Sequence, residues 1–118
     1  VLNRAEIADS ADLDYYVAEF TQAGFRGPIN LYRNWHRNWE ITPELTGRTI
    51  PQPVHFIAGA QDTVIRGANE EQLRASMGGV ATDLRGITLI QGAGHWVQQE
   101  KAAETNAAIV DFLAGAAT

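Results

Sequence analysis

The first part of the chain carries a helical pattern of apolar and polar positions. Apolar side chains recur at intervals of three or four residues after Ser10, at Leu13, Tyr16, Val17 and Phe20. This spacing is typical of an amphipathic helix, which we expect Ser10 to cap at its start and Gly24 to end. Residues 1–10 carry no strong pattern and are predicted to form a linker or a frayed helix.

A second helix is predicted over residues 28–38. Pro28 suits the first helical position, where the N–H that proline lacks has no partner within the helix. Residues 41–52 are rich in Thr, Pro and Gly, which favours a hinge between two regions of the chain.

The second part of the chain alternates short apolar runs with helical patterns. Residues 54–59 and 87–90 are typical of buried parallel strands, and residues 66–78 and 99–114 are predicted helices. The apolar stripe of the last helix is assigned to Ala103, Asn106, Ile109, Val110 and Leu113. This order predicts an α/β fold with a parallel sheet and crossover helices. Because two strands that are apolar on both faces need neighbours, we expect further strands from outside the chain to complete the sheet.

Composition excludes several classes of function. The chain has 118 residues, of which 45% are hydrophobic and 19% charged, as in globular domains. A net charge of −5 and scattered Arg residues argue against a nucleic-acid partner. No apolar run reaches the roughly 18 residues that cross a bilayer, and the absence of Cys fits a cytoplasmic location. Because residue 1 is Val and no signal-peptide pattern follows, we expect a processed or truncated chain.

No cofactor or metal is expected. His, Asp and Glu do not occur at metal-ligand spacing, and the glycines do not form a phosphate-binding loop. His36 and His55 lack an acidic or metal-spaced partner in the sequence, so we assign both to structural roles.

Asp62 and His95 follow the two predicted strands and are the main candidates for catalysis. Catalytic groups of open parallel sheets collect beyond the carboxyl ends of the strands. Taken alone, a loop Asp is more often a helix cap and a single His more often a packing residue. Together, an acid that precedes a histidine follows the chain order of α/β-hydrolase triads. Asp62 would fix the tautomer of His95 and leave its second nitrogen to accept a proton. Gly92 and Gly94 would let the backbone turn sharply around the histidine.

Four segments resemble soluble epoxide hydrolases. Residues 25–39 resemble their lid helix, 58–62 their acid loop, 94–100 their histidine loop and 104–113 their last helix. The lid motif, Arg-Gly-Pro-Ile-Asn-Leu-Tyr-Arg-Asn at residues 26–34, is the specific one, whereas the acid and histidine loops are shared by many α/β-hydrolases.

The resemblance implies a fold and a set of roles. Residues 1–47 would be the end of a helical lid domain, and residues 48–118 the C-terminal part of an α/β-hydrolase core. Members of the family open an epoxide with a carboxylate, and water activated by histidine then hydrolyses the alkyl-enzyme ester to a vicinal diol. Asp62 matches the triad acid, His95 the base and Tyr32 the lid tyrosine that hydrogen-bonds the epoxide oxygen. Trp96 would shape the substrate pocket.

The resemblance also implies that part of the machinery lies elsewhere. The nucleophilic Asp, the amides of the oxyanion hole and the second lid tyrosine belong to the family's N-terminal portion. The chain would therefore be inactive without that portion, supplied as a separate or cleaved partner, and the assembled enzyme could be a homodimer. One alternative is a haloalkane or haloacid dehalogenase of the same fold, which usually holds its halide with Trp, Asn or Arg donors rather than with a tyrosine such as Tyr32. A second is a non-catalytic interaction domain, which would fold alone as a monomer.

Overall fold

The computed structural model describes residues 9–116, which contain six α-helices, one 3-10 helix and two β-strands. In chain order they are α1 (Ser10–Ala23), α2 (Arg26–Arg33), α3 (Trp35–Ile41), the 3-10 helix Pro43–Leu45, β1 (Ile50–Gly59), α4 (Glu70–Met77), β2 (Ala81–Ile90), α5 (Val97–Glu100) and α6 (Ala102–Ala116). The described residues divide into two compact units: the first unit ends at Arg48, and the second unit begins at Thr49. Across the described part of the chain, the helices are all too short or too polar to span a membrane.

Helix α1 is capped by Asp9 rather than by Ser10, so the predicted cap is wrong by one residue. The Asp9 side chain accepts hydrogen bonds from the N–H groups of Ala11 at 2.8 Å and Asp12 at 2.9 Å. Asp12 returns the bond by accepting from the N–H of Asp9 at 3.2 Å, which completes a capping box. Of the predicted linker, residues 1–8 lie outside the described residues, whereas Asp9 and Ser10 belong to the start of this helix. Gly24 ends the helix as expected, at φ 69°.

The single helix predicted over residues 28–38 is two helices, α2 and α3, which meet at Asn34. Asn is a poor helix former because its side chain competes for backbone hydrogen bonds. Helix α2 begins at Arg26, so Pro28 is its third residue and not its first. The proline is tolerated there because the first four N–H groups of a helix have no partner within it.

The helices of the first unit bury none of their residues, and several aromatic side chains remain exposed. Among its large apolar side chains, the most exposed are Tyr32 and Trp35 at 67% and Trp39 at 76%. Phe20 and Phe25 stack on each other with ring centroids 4.8 Å apart. This unit therefore carries apolar surface that its own three helices do not cover.

Strands β1 and β2 of the second unit pair in parallel, as predicted. Their register runs from Ile50 opposite Ala81 to Gly59 opposite Ile90. Each strand has ten residues and begins earlier than its apolar run. The prediction missed the first half of β1 because it holds two prolines, and the first half of β2 because it holds charged residues. As a result, residues 50–52 of the predicted hinge belong to β1.

Helix α4 is shorter than the predicted helix 66–78. Asn69 caps it by accepting from the N–H of Gln72 at 2.9 Å, in a capping box. The residues before it form a turn in which Arg66 and Gly67 adopt left-handed conformations, at φ 53° and 72°. A helix cannot continue through such residues, so α4 starts only at Glu70.

The last predicted helix, 99–114, is divided at Lys101 into α5 and α6, and its packing stripe was assigned to the wrong side. Thr105, only 5% exposed, is the buried residue of α6, and the half-buried Ala108 and Phe112 follow it at helical spacing. The predicted stripe is exposed instead, with Val110 at 62% and Leu113 at 58%. Almost every residue from 102 to 116 is apolar or small, so the pattern did not decide which side packs.

The buried core of the second unit is small. Its buried apolar residues are Ala58, Leu73, Ala81, Ile90 and Ala93. Most of the remaining strand side chains are only half-buried. The buried residues Ala58 and Ile90 lie at the carboxyl ends of the two strands. The loops that hold Asp62 and His95 follow these ends.

Candidate active site

Two backbone hydrogen bonds join the loops that follow β1 and β2. The N–H of Ala60 donates to the carbonyl oxygen of Ile90, and that of Gln61 to the carbonyl oxygen of Ala93, both at 2.9 Å. These bonds extend the parallel ladder beyond the strands. The loop that contains Asp62 is thereby fixed against the loop that contains His95.

Gly59 allows the two loops to approach, and the sequence analysis did not identify this role. A β-carbon at Gly59 would overlap the carbonyl oxygens of Ala93 and Gly94. Ala93 is fully buried, so the neighbouring backbone has no space to withdraw. Gly92 adopts φ 74°, which supports the expected sharp turn before the histidine.

The carboxylate of Asp62 is buried, with 8% of the residue exposed, and both of its oxygens are hydrogen-bonded. Oδ1 accepts from the N–H of Val64 at 2.8 Å, and Oδ2 lies 3.0 Å from Nδ1 of His95. Burial alone would raise the pKa of Asp62. The hydrogen bonds from Val64 and His95 and the attraction of the imidazole outweigh it and lower the pKa. The acid is therefore ionised at neutral pH.

Contact with Asp62 defines the tautomer of His95. An ionised carboxylate only accepts hydrogen bonds, so Nδ1 must carry the proton that points to Oδ2. In the neutral ring, the lone pair then lies on Nε2. The His95 side chain is 52% exposed. This geometry can take a proton from a water molecule at Nε2 while Asp62 stabilises the resulting imidazolium.

Glu100 is a further residue of this loop that the sequence analysis did not single out. Its Oε2 accepts from the N–H of Gly94 at 2.6 Å, and its Oε1 accepts from the N–H of Trp96 at 2.9 Å. An acidic residue in the first turn of a helix was the available signal, because such residues often accept the N–H of the residue that precedes the helix. The prediction missed it because the helix was predicted to begin at residue 99, whereas α5 begins at Val97.

The other two predicted site residues lie in different units. Trp96 directly follows His95, and their rings meet edge to face with centroids 5.3 Å apart. Tyr32 lies in α2 of the first unit, where its ring is 5.9 Å from that of Trp35. The second unit thus brings together Asp62, His95 and Trp96, and Tyr32 belongs to the first unit.

The remaining histidines have other surroundings. His55 in β1 forms a hydrogen bond of 2.9 Å with the hydroxyl of Thr88 and meets the ring of Phe112 edge to face. These contacts join the sheet to α6, in keeping with a structural role. Over residues 9–116, no three His, Cys, Asp or Glu side chains come together in a way that could hold a metal ion.

Comparison with known proteins gives consistent matches. The chain is 44% identical over 104 residues to epoxide hydrolase A of Mycobacterium tuberculosis, an alignment that covers 88% of the chain and 31% of that protein. Among solved structures, epoxide hydrolase A from Mycobacterium thermoresistibile matches with a TM-score of 0.78 and 46% identity, over 98% of this chain and 34% of that one. Potato (Solanum tuberosum) epoxide hydrolase I matches with a TM-score of 0.81 and 30% identity, over 94% and 35%.

The homologues of this chain are epoxide hydrolases. The chain corresponds to the C-terminal part of their α/β-hydrolase fold and spans about a third of the length of the mycobacterial relatives that it matches. No protein-family model matches it. The fold class expected from the sequence, the C-terminal part of an α/β-hydrolase, is confirmed.

Proposed function

We propose that this chain supplies the acid and the histidine of an epoxide hydrolase that opens an epoxide to a vicinal diol. The observation that carries the proposal is the 3.0 Å hydrogen bond between Asp62 and His95 at the ends of two parallel strands. The relatives described above are named epoxide hydrolases, which favours an epoxide over an alkyl halide as the substrate.

The first chemical step needs a carboxylate that this chain does not supply. That carboxylate attacks one epoxide carbon, the carbon–oxygen bond breaks, and an alkyl-enzyme ester and an alkoxide form. Tyr32 donates a hydrogen bond and then a proton to this alkoxide. Such a donor acts where negative charge develops in the transition state, which is the usual source of large rate gains.

His95 acts in the second step. Its Nε2 takes a proton from water, and the hydroxide that forms adds to the carbonyl carbon of the ester. The tetrahedral intermediate collapses, the ester bond to the substrate breaks, and the departing alkoxide receives the proton from the imidazolium. The nucleophile is left as a carboxylic acid, and its proton passes through solvent to the Tyr32 phenolate. Both groups are thereby restored when the diol is released. Asp62 stabilises the imidazolium throughout and remains ionised because its pKa is lowered.

Trp96 forms one side of the substrate pocket in this proposal. Its ring is half-exposed and lies against the ring of His95, so it can contact the apolar part of an epoxide that is attacked there.

The proposed partner is an N-terminal portion of the hydrolase core, which carries the nucleophile and the oxyanion hole. Two observations support it: the relatives are about three times as long as the chain, and the second unit has a core of only five apolar residues. We refer to this chain together with that portion as the assembled enzyme. The chain alone would be inactive because, in the family that it resembles, the carboxylate that forms the ester belongs to the N-terminal portion.

The proposal is tested by measuring diol formation from an aryl epoxide by the assembled enzyme. The test variant is His95→Gln, and the control is His36→Gln, which changes an exposed histidine of α3. His95→Gln should stop turnover after one ester has formed, so that mass spectrometry detects the enzyme with one substrate attached, whereas the control should turn over normally. Unchanged turnover in His95→Gln would refute the proposed role.

Two further assays address the alternative functions. Release of halide from an alkyl bromide, with no diol from the epoxide, would assign the enzyme to the dehalogenases. A folded monomer of the isolated chain, combined with no diol from any assembly, would identify a non-catalytic domain.

A further inference from the structure

Glu100 holds the backbone on both sides of His95. Its two carboxylate oxygens accept from the N–H of Gly94, the residue before the histidine, and from the N–H of Trp96, the residue after it. Hydrogen bonds to a charged acceptor are shorter and stronger than neutral ones, and the bond to Gly94, at 2.6 Å, is short. Gly94 is buried and Glu100 half-buried, so water competes only weakly for the bond from Gly94, whereas the bond from Trp96 is exposed.

We propose that Glu100 is a positioning residue for His95, which keeps the imidazole oriented toward Asp62 while the ester is hydrolysed. The proposal rests on the proposed epoxide hydrolase function. It adds a second carboxylate to the acid–histidine pair: Asp62 orients the ring directly, and Glu100 orients the backbone from which the ring projects.

Within this chain, two side-chain contacts orient the ring of His95. About half of the His95 side chain is exposed, and its ring contacts are the carboxylate of Asp62 on one side and the edge of Trp96 on another. The direction of the ring therefore depends on its Cα–Cβ bond as well as on these contacts. A displacement of about 1 Å at a reacting group can cost roughly a hundredfold in rate.

Glu100 is itself fixed in place through Thr105. The hydroxyl of Thr105, a buried residue of α6, lies 3.1 Å from the carbonyl oxygen of Val97 and 2.8 Å from that of Lys101. These contacts tie the first residue of α5 and the residue that follows the helix to α6. The carboxylate of Glu100 is therefore connected to the longest helix of the second unit and does not move freely with the loop.

A simpler role for Glu100 would be to cap α5, whose preceding residue is Trp96. Capping alone would stabilise the short helix without changing the direction of the imidazole. The two roles differ in what happens to the Nδ1 proton of His95 and to the hydrolytic step, so both can be measured.

The test compares Glu100→Gln with Glu104→Gln in the assembled enzyme. Glu104 serves as the control because it is an exposed glutamate in the first turn of α6. The glutamine keeps the shape of the side chain, but its NH2 group cannot accept, so one of the two N–H groups loses its acceptor. In single-turnover experiments, ester formation should be unchanged, and ester hydrolysis should slow about ten- to a hundredfold, so that the ester accumulates. Glu104→Gln should behave like the wild type.

A double variant tests whether Glu100 acts through the contact between Asp62 and His95. In an Asp62→Asn background, the contact that Glu100 preserves is already lost, so adding Glu100→Gln should slow hydrolysis by less than threefold. Effects that multiply in full would mean that Glu100 acts independently of the acid–histidine pair and would overturn the proposal.

Proton NMR gives a readout that does not need turnover. The Nδ1 proton of His95, identified by its absence in His95→Gln, should shift or broaden in Glu100→Gln and stay unchanged in Glu104→Gln. An unchanged resonance together with an unchanged rate of ester hydrolysis would leave Glu100 as a helix cap and refute the inference.

If Glu100→Gln does not fold, Glu100→Asp, which is one methylene shorter, is judged by the same criteria. If the wild type forms neither ester nor diol, the proposed function fails, and the resonance alone decides whether Glu100 positions His95.

Discussion

Gly59 and Gly94 approach each other so closely that a β-carbon on Gly59 would overlap the carbonyl oxygen of Gly94. Gly59 ends the strand that leads to Asp62, and Gly94 directly precedes His95. The distance between the acid and the histidine therefore depends on the absence of a side chain at residue 59.

Replacing Gly59 by Ala should separate the two loops. Since backbone atoms rather than flexible side chains surround the new methyl group, we expect the assembled enzyme to lose about 1–3 kcal/mol of unfolding free energy. The rate of ester hydrolysis should fall more than the rate of ester formation, because only His95 and Asp62 are pushed apart. Thermal unfolding and single-turnover kinetics measure the two effects.

Gly79→Ala is the matched control for this variant. Gly79 lies in the turn before β2, and a β-carbon there would meet no atom within 4 Å. It should leave both the melting temperature and the kinetics close to those of the wild type. Equal losses in the two glycine variants would show that close approach of the loops is not what Gly59 provides.

The contact between Asp62 and His95 could be expected from the sequence because it follows from topology. Parallel strands end at the same edge of a sheet, so residues that follow β1 and β2 must be neighbours whatever the details of the strands. The proximity of Asp62 and His95 could therefore be predicted although both strands were predicted too short. The same reasoning gave the parallel α/β arrangement from two short apolar runs.

Glu100 and the packing side of α6 could not be predicted in this way. The role of Glu100 depends on where α5 begins, and the sequence pattern predicted that start at residue 99 instead of Val97. The orientation of α6 depends on which of many small and apolar residues meets the sheet. Thr105 is buried there, although it is polar, because its hydroxyl reaches the carbonyl oxygens of Val97 and Lys101.

Asp62→Asn should impair the hydrolysis of the ester without preventing its formation. The amide oxygen can still accept from Val64, but the NH2 group would then face Nδ1 of His95 and move the ring proton to Nε2. A ring that is protonated at Nε2 cannot take a proton from water there. We expect a loss of roughly 10³–10⁴-fold in the hydrolytic step, the size that a wrong histidine tautomer causes in other triads. Asp14→Asn, at an exposed position of α1, is the control, and a loss below tenfold in Asp62→Asn would contradict the assigned tautomer.

The lowered pKa of Asp62 predicts a specific loss of stability in acid. Because the folded-state pKa lies below the unfolded-state value of about 3.9, the stabilisation is fully present above that value and disappears as the pH falls through the folded-state pKa. The melting temperature of the wild type should therefore fall more steeply than that of Asp62→Asn below about pH 4. Parallel curves over the whole acid range would show that the Asp62 carboxylate gains no stabilisation on folding.

Tyr32→Phe should affect the opposite half of the reaction. The phenol is proposed to donate to the epoxide oxygen, so its removal should slow ester formation and leave ester hydrolysis unchanged. General acids contribute about 10²–10⁴-fold, and a second tyrosine in the N-terminal portion should compensate in part, which leaves an expected loss of about tenfold in the first step. Tyr15→Phe removes the hydroxyl of an exposed tyrosine in α1 of the same unit and should have no effect on either step. Rapid-quench measurements of the two rates distinguish the variants, and slowed hydrolysis with normal ester formation in Tyr32→Phe would exclude Tyr32 as the donor to the epoxide.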